Sequence, residues 1–373
     1  MNPRTDPRTD PRTDPRHDLR HDPRESPRHD ALARCRSAAR SLPAAFRCAP
    51  PIASARGGLT RRGLGQGIGA LTLGGLLAAC GSDDRPGATG SAAKGSGTVD
   101  FAYQGFRAKL PADPRRVVAL DPRTGMEFAV LAGYPVVAGY RLEKGNHLAE
   151  KIPKGYRTLE GNETEPSAES ILAQDPDLLV VGEEWWQYYK ERKLLTQDIA
   201  PVLVVGGGFS PHWRRHTEQQ LTRLGRERQA EKQLNAYDTR LAAARQEVGR
   251  LLKGRKIAVA GAQKPQFWAQ TNSFYLDVAR DLGMELMFYD PEREPGGGSN
   301  EFFGLERLDV FAPADLIILQ NPDDPATKAK TWQRLPAVRA GRVAPLNYYS
   351  NAGLAFTATA LLDELVSAAK LLG

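Results

Sequence analysis

Residues 213–252, which read WRRHTEQQLTRLGRERQAEKQLNAYDTRLAAARQEVGRLL, decide the fold because they form a long, charged segment without a strand-like run. Apolar residues recur in this segment every three or four positions, which is the spacing of one face of an α-helix. These residues are Ala230, Leu234, Tyr237, Leu241, Ala244, Val248, Leu251 and Leu252. The spacing predicts a long helix that connects the parts of the chain before and after it.

Short apolar runs alternate with segments of helical period on both sides of this long segment. Strands are predicted at residues 116–120, 135–140, 177–182 and 201–205 before it, and at residues 256–260, 285–288, 315–319 and 342–345 after it. Helices are predicted at residues 124–132, 167–174, 187–195, 273–282, 304–311 and 356–371. Runs of β-branched residues between helices are typical of parallel strands covered on both faces. The sequence therefore predicts an α/β fold of two lobes joined by one long helix.

The N-terminal segment repeats Pro-Arg-Thr-Asp at residues 3–6, 7–10 and 11–14 and has almost no apolar residue. Such a segment cannot offset the entropy of ordering by burial, so a disordered extension is expected. Residues 76–80 read Leu-Leu-Ala-Ala-Cys and follow the pair Arg61-Arg62 and a glycine-rich apolar stretch. This order resembles a twin-arginine signal peptide that ends in a bacterial lipobox, with Cys80 as the acylated residue. It predicts an exported protein, anchored by lipid at the outer face of the cytoplasmic membrane.

These features divide the chain into six predicted parts. Glycine, serine and alanine dominate the residues after Cys80, as in a flexible linker. The parts are a disordered repeat extension (1–56), a signal peptide (57–79), a flexible tether (80–112), an N-terminal lobe (113–225), a connecting helix (226–252) and a C-terminal lobe (253–373).

The net charge of +7 belongs to the predicted presequence. Residues 1–79 contain 14 arginines and seven acidic residues, and the rest of the chain contains 37 basic and 37 acidic residues. The basic balance therefore gives no indication of a nucleic-acid partner. Cys35 and Cys48 precede the predicted cleavage site, so Cys80 has no partner for an intrachain disulfide in the processed chain.

Three motifs resemble the substrate-binding lipoproteins of iron–siderophore ABC importers. They are RRVVALD at residues 115–121, EPSAESILAQDPDLL at residues 165–179 and LPAVRAGRV at residues 335–343. The resemblance covers residues 110–373 and implies a monomeric binding protein, not an enzyme, with a ligand cleft between the lobes. It implies that the cleft captures a ferric siderophore and that the protein delivers it to an ABC permease. A siderophore already fills the coordination sphere of iron with oxygens, so no protein metal ligand is expected.

The expected ligand-binding residues are aromatic or cationic and lie at the ends of predicted strands or in loops. Ligands of open α/β sheets bind at the carboxyl ends of the strands. The candidates are Arg141, Trp185, Trp186, Tyr188, Tyr189, Trp213, Arg214, Trp268, Phe302 and Tyr348. Trp185 and Trp186 are adjacent and cannot both face one helical core, so at least one of them is expected to be exposed.

Two glutamates match the positions at which this family docks on its permease. Glu169 and Glu306 each lie near the start of a predicted helix that precedes a proline or aspartate turn and a buried strand. The resemblance implies that each pairs with permease arginines. The local alternative is that each carboxylate interacts favourably with the dipole of its own helix.

Other functions stay open at this point. Cobalamin or haem is possible as the ligand within the same fold. His212 and His216 have a metal-ligand spacing on a helix, which would suit a binding protein for free zinc or manganese. The run Gly206-Gly207-Gly208 after a strand would suit a secreted hydrolase, although no Gly-x-Ser-x-Gly motif is present.

Overall fold

The first element of the computed structural model, which describes residues 97–195, 198–293 and 300–373, is a β-hairpin. Strands β1 (Thr98–Tyr103) and β2 (Phe106–Pro111) pair antiparallel. Residues 98–111 fall within the segment predicted as a flexible tether, and this part of the prediction was wrong. The hairpin is ordered because Phe101, Tyr103 and Leu110 are buried in the core of the lobe that follows. The repeats, Arg61-Arg62 and Cys80 lie outside the described residues.

The N-terminal lobe is built on a parallel five-stranded sheet. Its strands and two short paired strands are β3 (Val117–Ala119), β4 (Val136–Gly139), β5 (Arg157–Thr158), β6 (Gly161–Asn162), β7 (Glu165–Pro166), β8 (Leu178–Gly182) and β9 (Val202–Val205). The sheet order is β5-β4-β3-β8-β9, and β6 pairs separately with β7. Helices α1 (Thr124–Leu131), α2 (Ala168–Leu172) and α3 (Glu183–Arg192) connect the strands. Every residue of β3, β8 and β9 is buried, as predicted for strands covered on both faces.

The long central segment forms two helices rather than one. Helix α4 (Trp213–Arg223) ends before Gly225, and helix α5 (Glu227–Leu252) begins directly after the break. Gly225 has a φ of +62°, a left-handed conformation that ends a helix and that glycine adopts without steric cost. The apolar stripe of α5 is buried as its periodicity predicted, at Ala230, Leu234, Tyr237, Leu241, Ala244, Val248 and Leu252.

The C-terminal lobe has a mixed sheet. Its strands are β10 (Lys256–Gln263), β11 (Gln266–Ala269), β12 (Glu285–Leu286), β13 (Glu301–Gly304), β14 (Leu316–Gln320) and β15 (Val343–Pro345). The order is β13-β11-β10-β14-β15, with β12 also on β10; β11 runs antiparallel to both β10 and β13. The α-helices are α6 (Phe274–Leu282), α7 (Lys330–Gln333), α8 (Pro336–Arg339) and α9 (Ala355–Ala369). Residues 305–311, 325–328, 348–350 and 370–372 are 3₁₀-helical.

Helix α5 joins the two lobes through a common apolar core. One cluster of buried side chains runs from Val117 and Val180 in the first lobe, through the stripe of α5, to Ile257 and Leu365 in the second. Arg240 on α5 also forms an ion pair with Asp363 on α9, with 2.6 Å between Nε and Oδ1. The continuous core predicts that the two lobes move little relative to each other, because separating them would expose apolar surface.

Candidate functional site

Asp121 organises the carboxyl edge of the N-terminal sheet. It follows β3, and its buried carboxylate accepts hydrogen bonds from the N–H groups of Gly182 at the end of β8 (2.7 Å), Arg123 (3.1 Å) and Gly125 (3.0 Å). Burial raises the pKa of Asp121, and these hydrogen bonds oppose the rise. The carboxylate thereby ties the ends of two strands to the first turn of α1 and fixes the floor of the site.

Arg123 extends from this floor to the C-terminal lobe. Its guanidinium donates to the Asn351 side-chain oxygen at 3.1 Å, and it lies 5.3 Å from the ring centre of Tyr348 and 5.7 Å from that of Phe209. Arg123 is buried, whereas Tyr348 is 43% exposed. A cation between aromatic rings at the junction of two lobes forms a surface with both apolar and donor groups.

A buried carboxylate joins the lobes beneath this surface. Glu127 on α1 accepts hydrogen bonds from the N–H groups of Leu354 (2.7 Å), Phe356 (2.6 Å) and Thr357 (3.0 Å), and from the Thr357 hydroxyl (2.7 Å). These groups form the first turn of α9, whose N-cap residue, Leu354, has no side-chain acceptor. Burial raises the pKa of Glu127, and its hydrogen bonds with Thr357, Leu354 and Phe356 oppose the rise. Glu127 therefore caps a helix of the opposite lobe.

The close approach of the lobes continues through backbone contacts. The Gly353 N–H donates to the Gly208 carbonyl at 2.9 Å, and the Phe274 N–H donates to the Phe209 carbonyl at 3.0 Å. A Cβ at Gly353 would lie 2.3 Å from the Thr357 Cβ of the same lobe, so only glycine fits at this position.

Side chains join the lobes on the other side of the site. Asn347 donates to the Gly145 carbonyl at 3.0 Å, and the Ser350 hydroxyl lies 2.8 Å from His147 Nε2. Ser350 also donates to Glu364 at 2.8 Å. The loop after β4 is therefore fastened to the segment between β15 and α9.

Carboxylates surround the mouth of the site. Glu183 and Glu184 begin α3 directly after β8, and Glu184 has exposed surface even though protein surrounds its carboxyl group. This surrounding protein raises the pKa of Glu184 to about 7; Glu183 and Asp121 add to the rise and Arg123 opposes it. Burial also raises the pKa of Glu183.

Tyr349 faces two further carboxylates across the lobes. Burial raises the pKa of Tyr349, Glu143 and Glu163 of the N-terminal lobe add to the rise, and Arg123 opposes it. Within the described residues, none of Glu143, Glu163, Glu183 and Glu184 forms an ion pair. Glu143 and Glu163 thus lie near the Tyr349 ring without an ion-pair partner among the described residues.

The aromatic residues of α3 are placed differently from the sequence-based expectation. Trp185 and Trp186 are 7% and 5% exposed, so the expectation that at least one would be exposed was wrong. Trp185 packs against Tyr188 and Tyr189, whereas Trp186 packs against Phe106 of the hairpin. The hairpin covers a second side of α3, and this second cover was not recognised in the sequence.

Two other tyrosine candidates of α3 have roles within the lobe. The Tyr189 hydroxyl donates to the carbonyls of Leu120 and Glu163, at 3.0 Å each, and its ring is fully buried. Tyr188 is half-buried, and the Arg192 guanidinium lies 4.0 Å from its ring centre. Both tyrosines stabilise the region behind the carboxyl edge of the sheet.

Trp213 and Arg214 fasten α4 to its neighbours. Trp213 is 1% exposed and packs edge-to-face on Tyr237 and Phe274, so the structure gives it a core position. Arg214 donates to Asp238 of α5, with 2.9 Å between Nη2 and Oδ2, and to Glu218 at 3.1 Å. Neither residue faces the junction around Arg123.

The remaining four candidates differ in exposure: Trp268 is buried, whereas Arg141, Phe302 and Tyr348 are exposed. Arg141 follows β4 and is exposed. Trp268 on β11 and Phe302 on β13 are directly opposite each other in the ladder, and Phe302 is 54% exposed. Tyr348, in the C-terminal lobe, contacts Arg123 of the N-terminal lobe.

Sequence reasoning missed Arg123, Glu127 and Phe209. The sequence could have predicted Arg123 as a site residue, because Arg123 follows a predicted strand just as Arg141 does. Phe209 follows the glycine run after β9, so the same argument could have predicted it as a site residue. No local sequence pattern predicts the role of Glu127, because its hydrogen-bond partners lie 227 to 230 residues further along the chain.

The two predicted docking glutamates are exposed. Glu169 lies in the first turn of α2, where the Ser167 side chain accepts from the Ser170 N–H at 3.2 Å. Glu306 lies in the first turn of the 3₁₀-helix 305–311, where an α-helix had been predicted. In the described part of the chain, neither glutamate forms an ion pair.

The described residues contain neither a metal-binding cluster nor a membrane-spanning helix. Over residues 97–195, 198–293 and 300–373, no group of three or more His, Cys, Asp or Glu residues is placed to hold a metal ion. His216 instead forms a hydrogen bond with Tyr103, and His212 is exposed. No helix in these ranges has the length and hydropathy that a membrane span requires.

The chain is similar in sequence and structure to known proteins. The chain is 26% identical over 303 residues to the iron(3+)-hydroxamate-binding protein FhuD of Bacillus subtilis. The aligned region covers 77% of this chain and 91% of that protein. A siderophore periplasmic binding protein from the fuscachelin gene cluster of Thermobifida fusca is 25% identical, with a TM-score of 0.52 over 69% of this chain and 98% of that one.

The similarity to a third protein is one of fold alone. The Fe³⁺-Desferal-bound siderophore-binding protein FhuD of Vibrio cholerae is 20% identical, with a TM-score of 0.55 over 69% of this chain and 98% of that one.

The model of the family described as "Periplasmic binding protein" matches residues 134–348, more than half of the chain. This match makes the chain a solute-binding component of transport rather than an enzyme. The chain belongs to the periplasmic binding protein family.

Proposed function

We propose that this protein captures a ferric siderophore in the cleft between its lobes and delivers it to an ABC importer. The observation that carries the proposal is the junction of Arg123, Phe209 and Tyr348, where cationic and aromatic groups of both lobes meet at the carboxyl edge of a parallel sheet. The relatives named above bind ferric hydroxamates or other siderophores, and this agrees with the proposal.

The charge of the cleft favours a hydroxamate over a catecholate. Three singly charged hydroxamates neutralise Fe³⁺, whereas three doubly charged catecholates leave an excess of negative charge. Glu143, Glu163, Glu183 and Glu184 would repel such an anion, and Arg141 and Arg123 compensate only partly. A neutral or cationic ferric hydroxamate therefore suits this cleft best.

Tryptophan fluorescence tests the proposed ligand. We expect saturable quenching by ferrioxamine B and weaker or no quenching by ferric enterobactin, haem, cobalamin or zinc added alone. The ferric complexes absorb light, so free N-acetyltryptophan is titrated in parallel as the control for inner-filter loss. Saturable binding of haem, cobalamin or zinc, without binding of any ferric siderophore, would replace the proposal with one of those ligands.

Replacing Tyr348 with alanine should weaken binding of ferrioxamine B by roughly tenfold to hundredfold, because an aromatic wall of the cleft is lost. The thermal midpoint should change little, since the side chain is 43% exposed. Tyr348→Phe keeps the ring beside Arg123 and should bind nearly as well as the wild type. Equal affinities of Tyr348→Ala and the wild type in calorimetric titrations would remove this residue from the site.

We infer further that Cys80 is the lipid anchor and that the protein lies at the outer face of the cytoplasmic membrane. The order of arginine pair, apolar stretch and Leu-Leu-Ala-Ala-Cys supports this assignment. The anchor chemistry requires a thiol at the cleavage site, and a second acyl chain would make the attachment stable.

The variant Cys80→Ala should lose incorporation of labelled palmitate and leave the membrane fraction, or remain unprocessed. Cys48→Ala removes a thiol upstream of the proposed cleavage site and should behave like the wild type. Fractionation with immunoblotting measures both results. Full membrane retention of a processed Cys80→Ala protein would place the anchor elsewhere.

A further inference from the structure

A second cavity lies between the β1–β2 hairpin and helix α4. Its volume is about 460 Å³, and its lining contains no acidic residue. It is lined by Ala102, Tyr103, Gln104, Gly105, Phe106, Arg107, Arg215, His216, Gln219 and Arg223. Arg123, Phe209 and Tyr348 do not line this cavity, but Tyr103, Gln104, Gly105 and Phe106 also line the neighbouring cavity that contains Glu183.

Three arginines give the cavity its charge. Arg107 comes from β2, whereas Arg215 and Arg223 lie two turns apart on α4. Within the described residues, none of the three forms an ion pair, although many other arginines of the chain do. Three unpaired guanidinium groups around one concavity produce a positive potential that a compact anion would neutralise.

The inner wall of the cavity is fixed. The buried Tyr103 hydroxyl forms a hydrogen bond with Nδ1 of His216, and Arg223 lies 5.2 Å from the Tyr103 ring centre. The Arg223 Nη1 also donates to the Gln219 carbonyl at 2.9 Å. Arg223 is thereby held in place, with further guanidinium donors available to a ligand.

The electrostatics of the wall agree with a cationic site. Burial lowers the pKa of His216, and the charges of Arg215 and His212 lower it further, which favours the neutral imidazole. Burial raises the pKa of Tyr103, while Arg223 and Arg215 oppose the rise. Glu183, which raises the pKa of Tyr103 further, lines a neighbouring cavity together with Lys190.

We propose that this cavity binds the phosphate group of a small molecule or of a lipid headgroup, held by Arg107, Arg215 and Arg223. Guanidinium groups present paired N–H donors that match the oxygens of a phosphate, and charge-assisted hydrogen bonds of this kind are the strongest available to a protein surface. Gln104 and Gln219 add neutral donors at the rim.

Calorimetric titration of the purified full-length chain with inorganic phosphate tests the proposal, with sodium chloride at equal ionic strength as the reference. We expect saturable one-to-one binding that the double variant Arg215→Gln/Arg223→Gln weakens by roughly tenfold to hundredfold. Arg228→Gln removes an exposed arginine of α5 outside the cavity and should bind phosphate like the wild type. Ferrioxamine B titration and the melting temperature report whether the double variant is folded.

A second arm distinguishes the two sources of phosphate. Sedimentation with vesicles of phosphatidylcholine alone, or with phosphatidylglycerol added, measures binding to lipid headgroups. Binding of inorganic phosphate that depends on Arg215 and Arg223 identifies a site for a soluble phosphate compound. Binding only to vesicles with phosphatidylglycerol, lost in the same double variant, identifies a headgroup site. No binding in either arm, or binding that the double variant leaves unchanged, overturns the proposal.

Discussion

Replacing Glu127 with leucine is expected to lower the free energy of unfolding by about 3–5 kcal/mol. The carboxylate accepts from three backbone N–H groups and one hydroxyl at the start of α9; all are buried except the partly buried N–H of Phe356. Leucine fills a similar volume but leaves these donors without a partner, at a cost of about 1–3 kcal/mol each before relaxation. The melting temperature should fall by roughly 6–20 °C for a folded part of this size.

Calorimetry and urea denaturation measure the effect of this substitution. Glu231→Leu is the matched control, because Glu231 is exposed on α5 and should change stability by less than about 0.5 kcal/mol. A Glu127→Leu protein that melts within about 2 °C of the wild type would contradict the assignment of this contact as a main link between the lobes.

The double variant Glu169→Arg/Glu306→Arg is expected to abolish siderophore uptake while leaving siderophore affinity unchanged. Both glutamates are exposed, one on each lobe, and neither is ion-paired in the described part of the chain, so both are available to permease arginines. Reversal of both charges would replace attraction with repulsion, which costs several kcal/mol at an interface. Uptake of radioactive iron by whole cells measures the result.

Two controls separate docking from stability. Glu150→Arg/Glu285→Arg makes the same change in charge with one exposed glutamate on each lobe and should leave uptake intact. The melting temperature of Glu169→Arg/Glu306→Arg should stay close to that of the wild type. A loss of stability would instead assign the two glutamates to their own helix ends, and normal uptake would rule out docking at these positions.

Local spacing predicted most of the fold. The sequence predicts the apolar stripe from Ala230 to Leu252 and the buried runs of β3, β8 and β9. Helices and strands each give a characteristic spacing of apolar residues that can be recognised locally. Gly225 by itself indicates the break between helices α4 and α5. The β1–β2 hairpin and the antiparallel strands β11 and β13 were missed, since their stability comes from long-range contacts such as Phe106 on Trp186.

The site was less predictable than the fold. Strand-end reasoning selected Tyr348 and Arg141, which are exposed, but it also selected Trp213 and Tyr189, which the structure buries in the core. Aromatic side chains suit cores and clefts equally well, so residue type could not separate the two. The hydrogen-bond partners of Glu127 depend on how two lobes that are distant in sequence pack together. No local sequence pattern predicts this packing.

Anomalous diffraction at the iron absorption edge, from crystals grown with ferrioxamine B, tests the central claim most directly. We predict a single iron peak between the carboxyl edge of the N-terminal sheet and the ring of Tyr348, close to Arg123, with no protein side chain within bonding distance of the metal. An iron peak beside the β1–β2 hairpin, or one bound directly by protein side chains without the siderophore, would contradict the account.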